Sequence, residues 1–245
     1  MKRISAGKHL PAVTICWGIL SLVLRWQLYR TAVDAKNLLV RNHPLSIALL
    51  VLTVGAMLHI LMAIRKTDAQ CGDDLQGKAN LPAAAGNVAA GAGILATVLT
   101  VSPGMGGYLA RAWQILGLAA PTCFLLAGMA RALGKKPFFL LHVVPCLFFL
   151  VHIVTRYQLW SSNPQMQDYV FALLGAVALM LFAFYTAAME AACGNFRMRL
   201  GTGLAAIYLC AGELAKSSCP ALYLGGILWV LTELCGIRYV SEEKK

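Results

Sequence analysis

The sequence predicts an all-α, polytopic membrane protein with about eight transmembrane helices, and three observations lead to that prediction. First, 59% of the 245 residues are hydrophobic and only 13% are charged, whereas soluble domains carry about 45–50% apolar and about 25% charged residues. Second, the mean hydropathy is +0.70. Third, the apolar residues form long runs with few charges, each close to the length that crosses a bilayer. The lipid bilayer is therefore the expected principal partner.

Eight apolar segments follow one another and predict a single transmembrane domain over residues 1–245. The second, fourth, fifth, sixth and eighth segments are strongly apolar. The third consists mostly of Ala and Gly, and the seventh is short and contains Glu213, so these two are the least certain to span. The segments are 10–30, 45–64, 82–101, 109–130, 137–155, 169–189, 200–215 and 220–238.

The distribution of basic residues predicts the orientation of these spans. With eight spans, fourteen of the 21 Lys and Arg residues lie on the side that holds both termini, and seven lie on the other side. Lys and Arg accumulate in cytoplasmic loops. Both termini are therefore predicted to be cytoplasmic, in a multi-pass protein of the cell membrane.

The third segment carries small residues at helical spacing, namely Gly86, Ala90, Gly93 and Thr97, with Asn87 beside them. Small side chains allow two membrane helices to approach closely, and an amide can form a hydrogen bond across the contact. We predict a helix-packing face here, with a mobile gate as the alternative.

Similar basic and aromatic pentapeptides close the first and fifth segments and suggest an internal repeat. Residues 25–29 read RWQLY, and residues 156–160 read RYQLW. A duplication of four spans would divide the chain into halves 1–135 and 136–245, related by an axis along the membrane normal. The alternative is that membrane interfaces select basic and aromatic residues independently.

Two polar stripes are candidates for a solute path. At 100° per residue, one face of the fifth segment carries His142, Pro145, Cys146 and Arg156, and His152 lies about 80° away. Pro145 frees a backbone carbonyl within the helix. The alternative for His142 is a hydrogen bond to a neighbouring helix.

The first segment carries a similar stripe that ends at Arg25. Together, Arg25 and Arg156 would attract an anion into an outward-facing vestibule. Ordinary salt bridges to Asp34, Asp168 or Glu213 explain the same charges equally well, and Asp168 also stands where a helix N-cap is expected.

Acidic residues within apolar segments are the third candidate feature. Glu233 lies inside the eighth segment, and Glu190 lies near the end of the sixth at a similar depth. Ionisable groups inside membranes face the bundle interior or a water path and have partners. Arg131, at the end of the fourth segment, is the expected counter-charge. A proton relay and a buried ion pair between helices are the two interpretations.

Several functional classes are disfavoured by the sequence. The net charge is +11, but Lys and Arg lie at the ends of apolar runs, so nucleic-acid binding is not expected. The eight cysteines include no CxxC pair, and the histidine spacing does not predict a haem or metal site. The HExxH, Walker and GxSxG motifs are absent. No cofactor is predicted, and no pattern sets an oligomeric state.

The stretch RYQLWSSNPQMQDYVF, together with AACGNFRMR after the sixth segment, resembles a family of multi-pass membrane proteins from anaerobic Gram-positive bacteria. The resemblance extends over most of the chain. It implies a bacterial cell membrane as the location. Because that family carries no assigned activity, the resemblance implies no reaction, cofactor or site residue.

These observations favour a transporter or channel for a small solute or ion, with an outward vestibule and an intramembrane acid. Its candidate substrate-binding residues are Arg25, His142, His152, Arg156, Asp168, Glu190 and Glu233. The alternative is a membrane scaffold or sensor that acts through helix packing with partner proteins. An enzyme is less favoured, because it would require at least two of His142, Cys146, His152, Glu190 and Glu233 to converge within hydrogen-bond distance.

Overall fold

The computed structural model describes residues 6–32, 43–66, 79–102, 107–161 and 169–235. Within these ranges the chain forms eight α-helices and a 3-10 turn at Leu214–Lys216, with no strand. The helices are α1 (Ala6–Thr31), α2 (Pro44–Lys66), α3 (Leu81–Thr100), α4 (Tyr108–Ala132), α5 (Leu140–Trp160), α6 (Val170–Glu190), α7 (Phe196–Glu213) and α8 (Pro220–Cys235). The predicted all-α, polytopic fold is confirmed.

Local sequence explains where several of these helices begin. The Asn80 side chain accepts a hydrogen bond from the backbone nitrogen of Ala83, 3.1 Å away, and Pro82 lies in the first turn of α3. Asn195 caps α7 in the same way through the backbone nitrogen of Arg197. Pro220 opens α8. Capping side chains satisfy backbone N–H groups that have no partner within the helix, and proline is tolerated in the first turn.

Six helices, α1 to α6, are long and apolar enough to cross a membrane. The third segment, which the sequence left uncertain, is among them, with 20 residues and a hydropathy of 1.5. Helix α7 is not among the six. It has 18 residues and carries three charged ones near its ends, namely Arg197, Arg199 and Glu213. The 16 described residues of α8 rise about 24 Å, less than the hydrocarbon thickness of about 30 Å. Six spans are supported, and the total of eight stays a prediction.

Helices α3 to α8 form a six-helix ring. Each of them packs against the next in sequence, and α8 packs against α3 to close the circle. Aromatic side chains fill the interior, among them Phe124, Phe148, Phe182 and Trp229. Helices α1 and α2 lie outside the ring and pack against each other and against α7. The apolar surface of α2 is largely exposed, as expected for a helix that faces lipid.

The predicted helix-packing face of α3 is confirmed at the contact with α8. Gly86, Ala90, Gly93 and Thr97 are all buried. A Cβ atom on Gly93 would clash with the backbone oxygen of Ala221. From the other helix, a Cβ atom on Gly225 would lie 2.6 Å from the backbone oxygen of Ala89. The two backbones therefore pack directly against each other.

Helices of the two predicted repeat halves pack against each other in this arrangement. Helices α1 and α2 of the first half pack on α7 of the second half, and α3 packs on α8. The halves are thus interleaved within one bundle. The duplication of four spans stays a prediction.

We expect Gly225→Ala to destabilise the protein by about 1–3 kcal/mol, because the added methyl group would force α3 and α8 apart. The measurement is the midpoint of thermal unfolding in detergent micelles. Gly55→Ala in α2 is the matched control, since no atom of another element lies within 4 Å of a Cβ built there. That control should be neutral or stabilising, because Ala favours helix by about 0.5–1 kcal/mol. Equal midpoints for the two variants would contradict the close α3–α8 contact.

Candidate functional site

A buried group of polar side chains joins the six helices of the ring where α4, α6 and α8 end and α3, α5 and α7 begin. Every ring helix contributes one main side chain to this group. We call it the polar network, and it consists of Asn87, Arg131, His142, Glu190, Arg199 and Glu233, from α3 to α8 in order. No residue of the network is more than 8% exposed.

Glu233 is held by three partners from three other helices. Its Oε2 atom lies 2.8 Å from Nη2 of Arg199 and 3.4 Å from Nη2 of Arg131. Its Oε1 atom accepts a hydrogen bond from Nδ2 of Asn87 at 3.0 Å. Arg199 also donates from Nε to the hydroxyl of Thr186 at 3.2 Å. Glu233 therefore ties α3, α4 and α7 to α8.

Glu190 forms the second half of the network. Its Oε1 atom accepts from Nη2 of Arg131 at 3.3 Å, and its Oε2 atom lies 2.8 Å from Nδ1 of His142. The same guanidinium nitrogen of Arg131 thus contacts both carboxylates. Arg131 is the predicted counter-charge of both acids, and the structure places it between them.

The charges of the network balance when His142 is neutral. Two arginines carry two positive charges, and two glutamates carry two negative charges. An unpaired charge in a low-dielectric interior is strongly unfavourable, whereas a paired and hydrogen-bonded one is tolerated. The balance explains how five ionisable side chains are accommodated in the interior of an apolar bundle.

Aromatic rings cover the network on its inner side. The imidazole of His142 stacks on the indole of Trp229, with ring centroids 5.9 Å apart and planes 8° from parallel. Phe124 meets both rings edge-on. The buried polar atoms in this region without a hydrogen-bond partner among the described residues include Nε2 of His142, Nε1 of Trp229 and Oδ1 of Asn87.

A second charged cluster lies at the opposite end of the bundle, between α1 and α7. Nη1 of Arg25 lies 2.6 Å from Oε2 of Glu213 and donates to the backbone oxygen of Gly212 at 3.0 Å. Nη2 of Arg25 donates to the hydroxyl of Tyr29, and its guanidinium lies 4.7 Å from the ring centre of Phe171. We call these residues the Arg25 cluster. Of the two interpretations of Arg25, the salt bridge is the one present.

The polar stripe of α1 leads to this cluster and packs against α7. Thr14, Gly18, Ser21 and Arg25 are all buried. A Cβ atom on Gly18 would lie 2.9 Å from Cβ of Ala211. In this conformation the stripe is a helix-packing surface.

Arg156 lies near the same end and has a different environment. Its side chain is buried, its Nη2 atom donates to the thiol of Cys219 at 3.4 Å, and its guanidinium lies 6.0 Å from the ring centre of Trp160. Among the described residues, its contacts include no carboxylate. His152, one turn earlier on α5, accepts at Nδ1 a hydrogen bond from the indole of Trp113 at 3.2 Å.

The structure therefore divides the predicted site residues into groups. His142, Glu190 and Glu233 come together in the polar network. Arg25, His152 and Arg156 lie outside it, and Asp168 lies outside the described residues.

Sequence reasoning missed the roles of Arg199 and Trp229. The seventh apolar segment was predicted to begin at residue 200, whereas α7 begins at Phe196 and brings Arg199 inside. Asn87 is the only amide within the third apolar segment. The sequence predicted that this amide could form a hydrogen bond across the helix contact, and its hydrogen bond to Glu233 of α8 confirms that prediction; the acidic partner was not predicted.

The convergence of two such side chains that an enzyme would require is present, since His142 and Glu190 are 2.8 Å apart. The other described contacts of this pair are Arg131 and aromatic rings. Within the described ranges, no three His, Cys, Asp or Glu side chains are placed to hold a metal ion.

Comparison of the chain with protein-family models, with curated proteins and with solved structures finds no match. The geometry of the two clusters therefore carries the functional argument.

We expect Arg25→Met and Glu213→Gln each to lower the free energy of unfolding by about 3–5 kcal/mol, because each removes one member of a buried ion pair. The double variant should be closer to the wild type than either single variant. The measurement is a double-mutant cycle of SDS-induced unfolding. Arg111→Met, at an exposed position, is the control and should have little effect. Additive losses in the double variant would contradict a direct coupling.

Proposed function

We propose that the chain is a membrane transporter for a small solute, in which the polar network and the Arg25 cluster close the two ends of the path. The observation that carries the proposal is that each of the six ring helices contributes one side chain to the polar network. Any separation of ring helices at this end would break defined ion pairs. Ionisable groups inside membranes commonly mark substrate or ion pathways.

The spacing of the two clusters supports closures that act separately. Arg199 of the network and Glu213 of the Arg25 cluster both lie on α7, fourteen residues apart, which is about 21 Å along the helix. The network connects all six ring helices, α3 through α8, whereas the Arg25 cluster connects only α1 and α7. One cluster can therefore open while the other stays paired, which alternating access requires.

Arg156 favours an anionic solute. Arg25 is already paired with Glu213, whereas the described contacts of Arg156 are a thiol and an aromatic ring. Its guanidinium lies beside Cys219, directly before the first residue of α8. The amino-terminal end of a helix also attracts negative charge. We propose Arg156 as the contact for an anionic group, in a protein of the bacterial cell membrane with cytoplasmic termini.

A membrane scaffold or sensor is the second candidate. The observation that favours it is the close packing of the polar stripe of α1 against α7 and of α3 against α8. A scaffold would keep these surfaces in contact, because its function is to present outer helix faces to a partner. The two candidates therefore differ in whether water ever reaches the ring interior.

Thiol labelling of the purified protein in lipid nanodiscs distinguishes these candidates. We expect Phe149→Cys, 1% exposed in α5, to react with a small water-soluble thiol reagent in a cysteine-free background, because a transporter opens its interior to water. Leu150→Cys is the lipid-facing control, with 45% exposure at the neighbouring position. Ser161→Cys, exposed just beyond α5, is the water-facing control.

A rate of thiol labelling for Phe149→Cys that lies between the rates of the two control variants would support the transporter. A rate as low as that of Leu150→Cys would reject the transporter and favour the scaffold.

Binding of small anions tests the role of Arg156. We expect one or more of phosphate, sulfate, acetate and succinate to raise the unfolding temperature of the wild type, since a ligand at 100 times its Kd stabilises by about 2.7 kcal/mol. Arg156→Gln should lose this effect, while Arg111→Gln should keep it. An equal response in both variants would show that Arg156 does not bind the anion.

A further inference from the structure

His142 has one ring nitrogen engaged and one with no partner. Nδ1 lies 2.8 Å from Oε2 of Glu190, while Nε2 is buried without a hydrogen-bond partner among the described residues. The side chain is 0% exposed and lies between Trp229 and Phe124. A carboxylate accepts only, so the neutral ring donates its Nδ1–H to Glu190. Nε2 therefore carries a lone pair that no described donor uses.

We propose that His142 is the proton-binding residue of the polar network, and that its protonation opens the network at Arg131. The proton is taken up at Nε2, and the product is an imidazolium ion that keeps its Nδ1–H bond to Glu190. The use of this proton in transport rests on the proposed function, in which solute movement would then be coupled to proton movement. Proton binding itself does not depend on transport.

The charges that face His142 explain why protonation would change the structure. Glu190 from α6 and Glu233 from α8 favour a positive ring, while Arg131 from α4 and Arg199 from α7 oppose it. Asn87 from α3 is neutral. Because the four described charges of the network cancel, a proton on His142 leaves the network with one net positive charge. An unbalanced charge there is unfavourable until it meets water or an anion.

Among the described ion pairs of the network, the two made by Arg131 are the longest. Arg131 lies 3.3 Å from Glu190 and 3.4 Å from Glu233, whereas the Glu190–His142 and Glu233–Arg199 contacts are both 2.8 Å. An imidazolium would hold Glu190 more strongly and would repel the Arg131 guanidinium. The weaker contacts should therefore separate first and release the end of α4 from α6 and α8.

His152 provides a comparison within the same helix. It also pairs with a tryptophan, but its Nδ1 atom accepts a hydrogen bond from Trp113 and none of its described contacts is a carboxylate. Of the four histidines whose side chains are described, only His142 contacts an acid. The proton site is therefore specific to the network.

Magic-angle-spinning NMR of the full chain in lipid, with ring ¹⁵N-labelled histidine, tests proton binding. When the pH is lowered from 8 to 5, we expect one buried histidine to change from an unprotonated to a protonated Nε2 signal, because Nε2 of His142 has no described donor and Glu190 lies 2.8 Å from the same ring. His142→Gln should remove that signal, and His152→Gln should leave it. Glu190→Gln should weaken proton binding at least tenfold, because the adjacent negative charge is lost.

A His142 signal that stays constant over this pH range would overturn the proposal. If His142→Gln fails to fold, replacement of each of the other four histidines in turn assigns the signal by elimination. The thiol-labelling result is independent of this titration. If His142 titrates but Phe149→Cys is not labelled, the proton site stands and the transporter is rejected. If Phe149→Cys is labelled but His142 does not titrate, the transporter stands and the proton site is rejected.

The opening at Arg131 is tested by a distance between spin labels. Labels at Leu133 and Ala191, exposed residues just beyond α4 and α6, should move apart between pH 8 and pH 5 in double electron–electron resonance. The same labels in the His142→Gln background should keep one distance at both pH values. An unchanged distance in the wild type would contradict the opening of the network.

Discussion

The helix contacts at the polar network and at the Arg25 cluster depend on the need to pair charges that lipid and packed side chains have removed from water. An isolated charge in the apolar interior is strongly unfavourable, so each buried glutamate is found beside an arginine. In the polar network, one arginine between two glutamates and a second on Glu233 give a sum of zero. This requirement ties together helices that are distant in sequence and sets which faces of them point inward.

The pairing also explains why aromatic and small residues occupy the remaining interior. Trp229, Phe124 and Phe182 pack edge to face beside the network, which excludes water and keeps the ion pairs in a low-dielectric environment. Glycines on α3 and α8 bring those backbones together, so that Asn87 reaches Glu233. Packing and charge pairing thus stabilise the same closed conformation.

The fold class, the eight helices and the packing face of α3 were predictable because hydropathy and small-residue spacing are local signals. The convergence of Glu190, Glu233 and Arg131 was also predictable, since acids within apolar segments require a counter-charge at a similar depth. The six-helix ring was not, because which helices become neighbours depends on contacts between distant segments. For the same reason the sequence could not choose between a vestibule and a salt bridge for Arg25, whose partner is 188 residues away.

The position of α1 and α2 outside the ring has a consequence for biosynthesis. Helices α1 and α2 precede α7, the helix against which both pack, and they are therefore synthesised before it. During synthesis, Arg25 must stay near the interface, where its long side chain reaches water, until Glu213 emerges. The contacts of α1 and α2 with α7, and the Arg25–Glu213 ion pair among them, can therefore form only after α7 has been made.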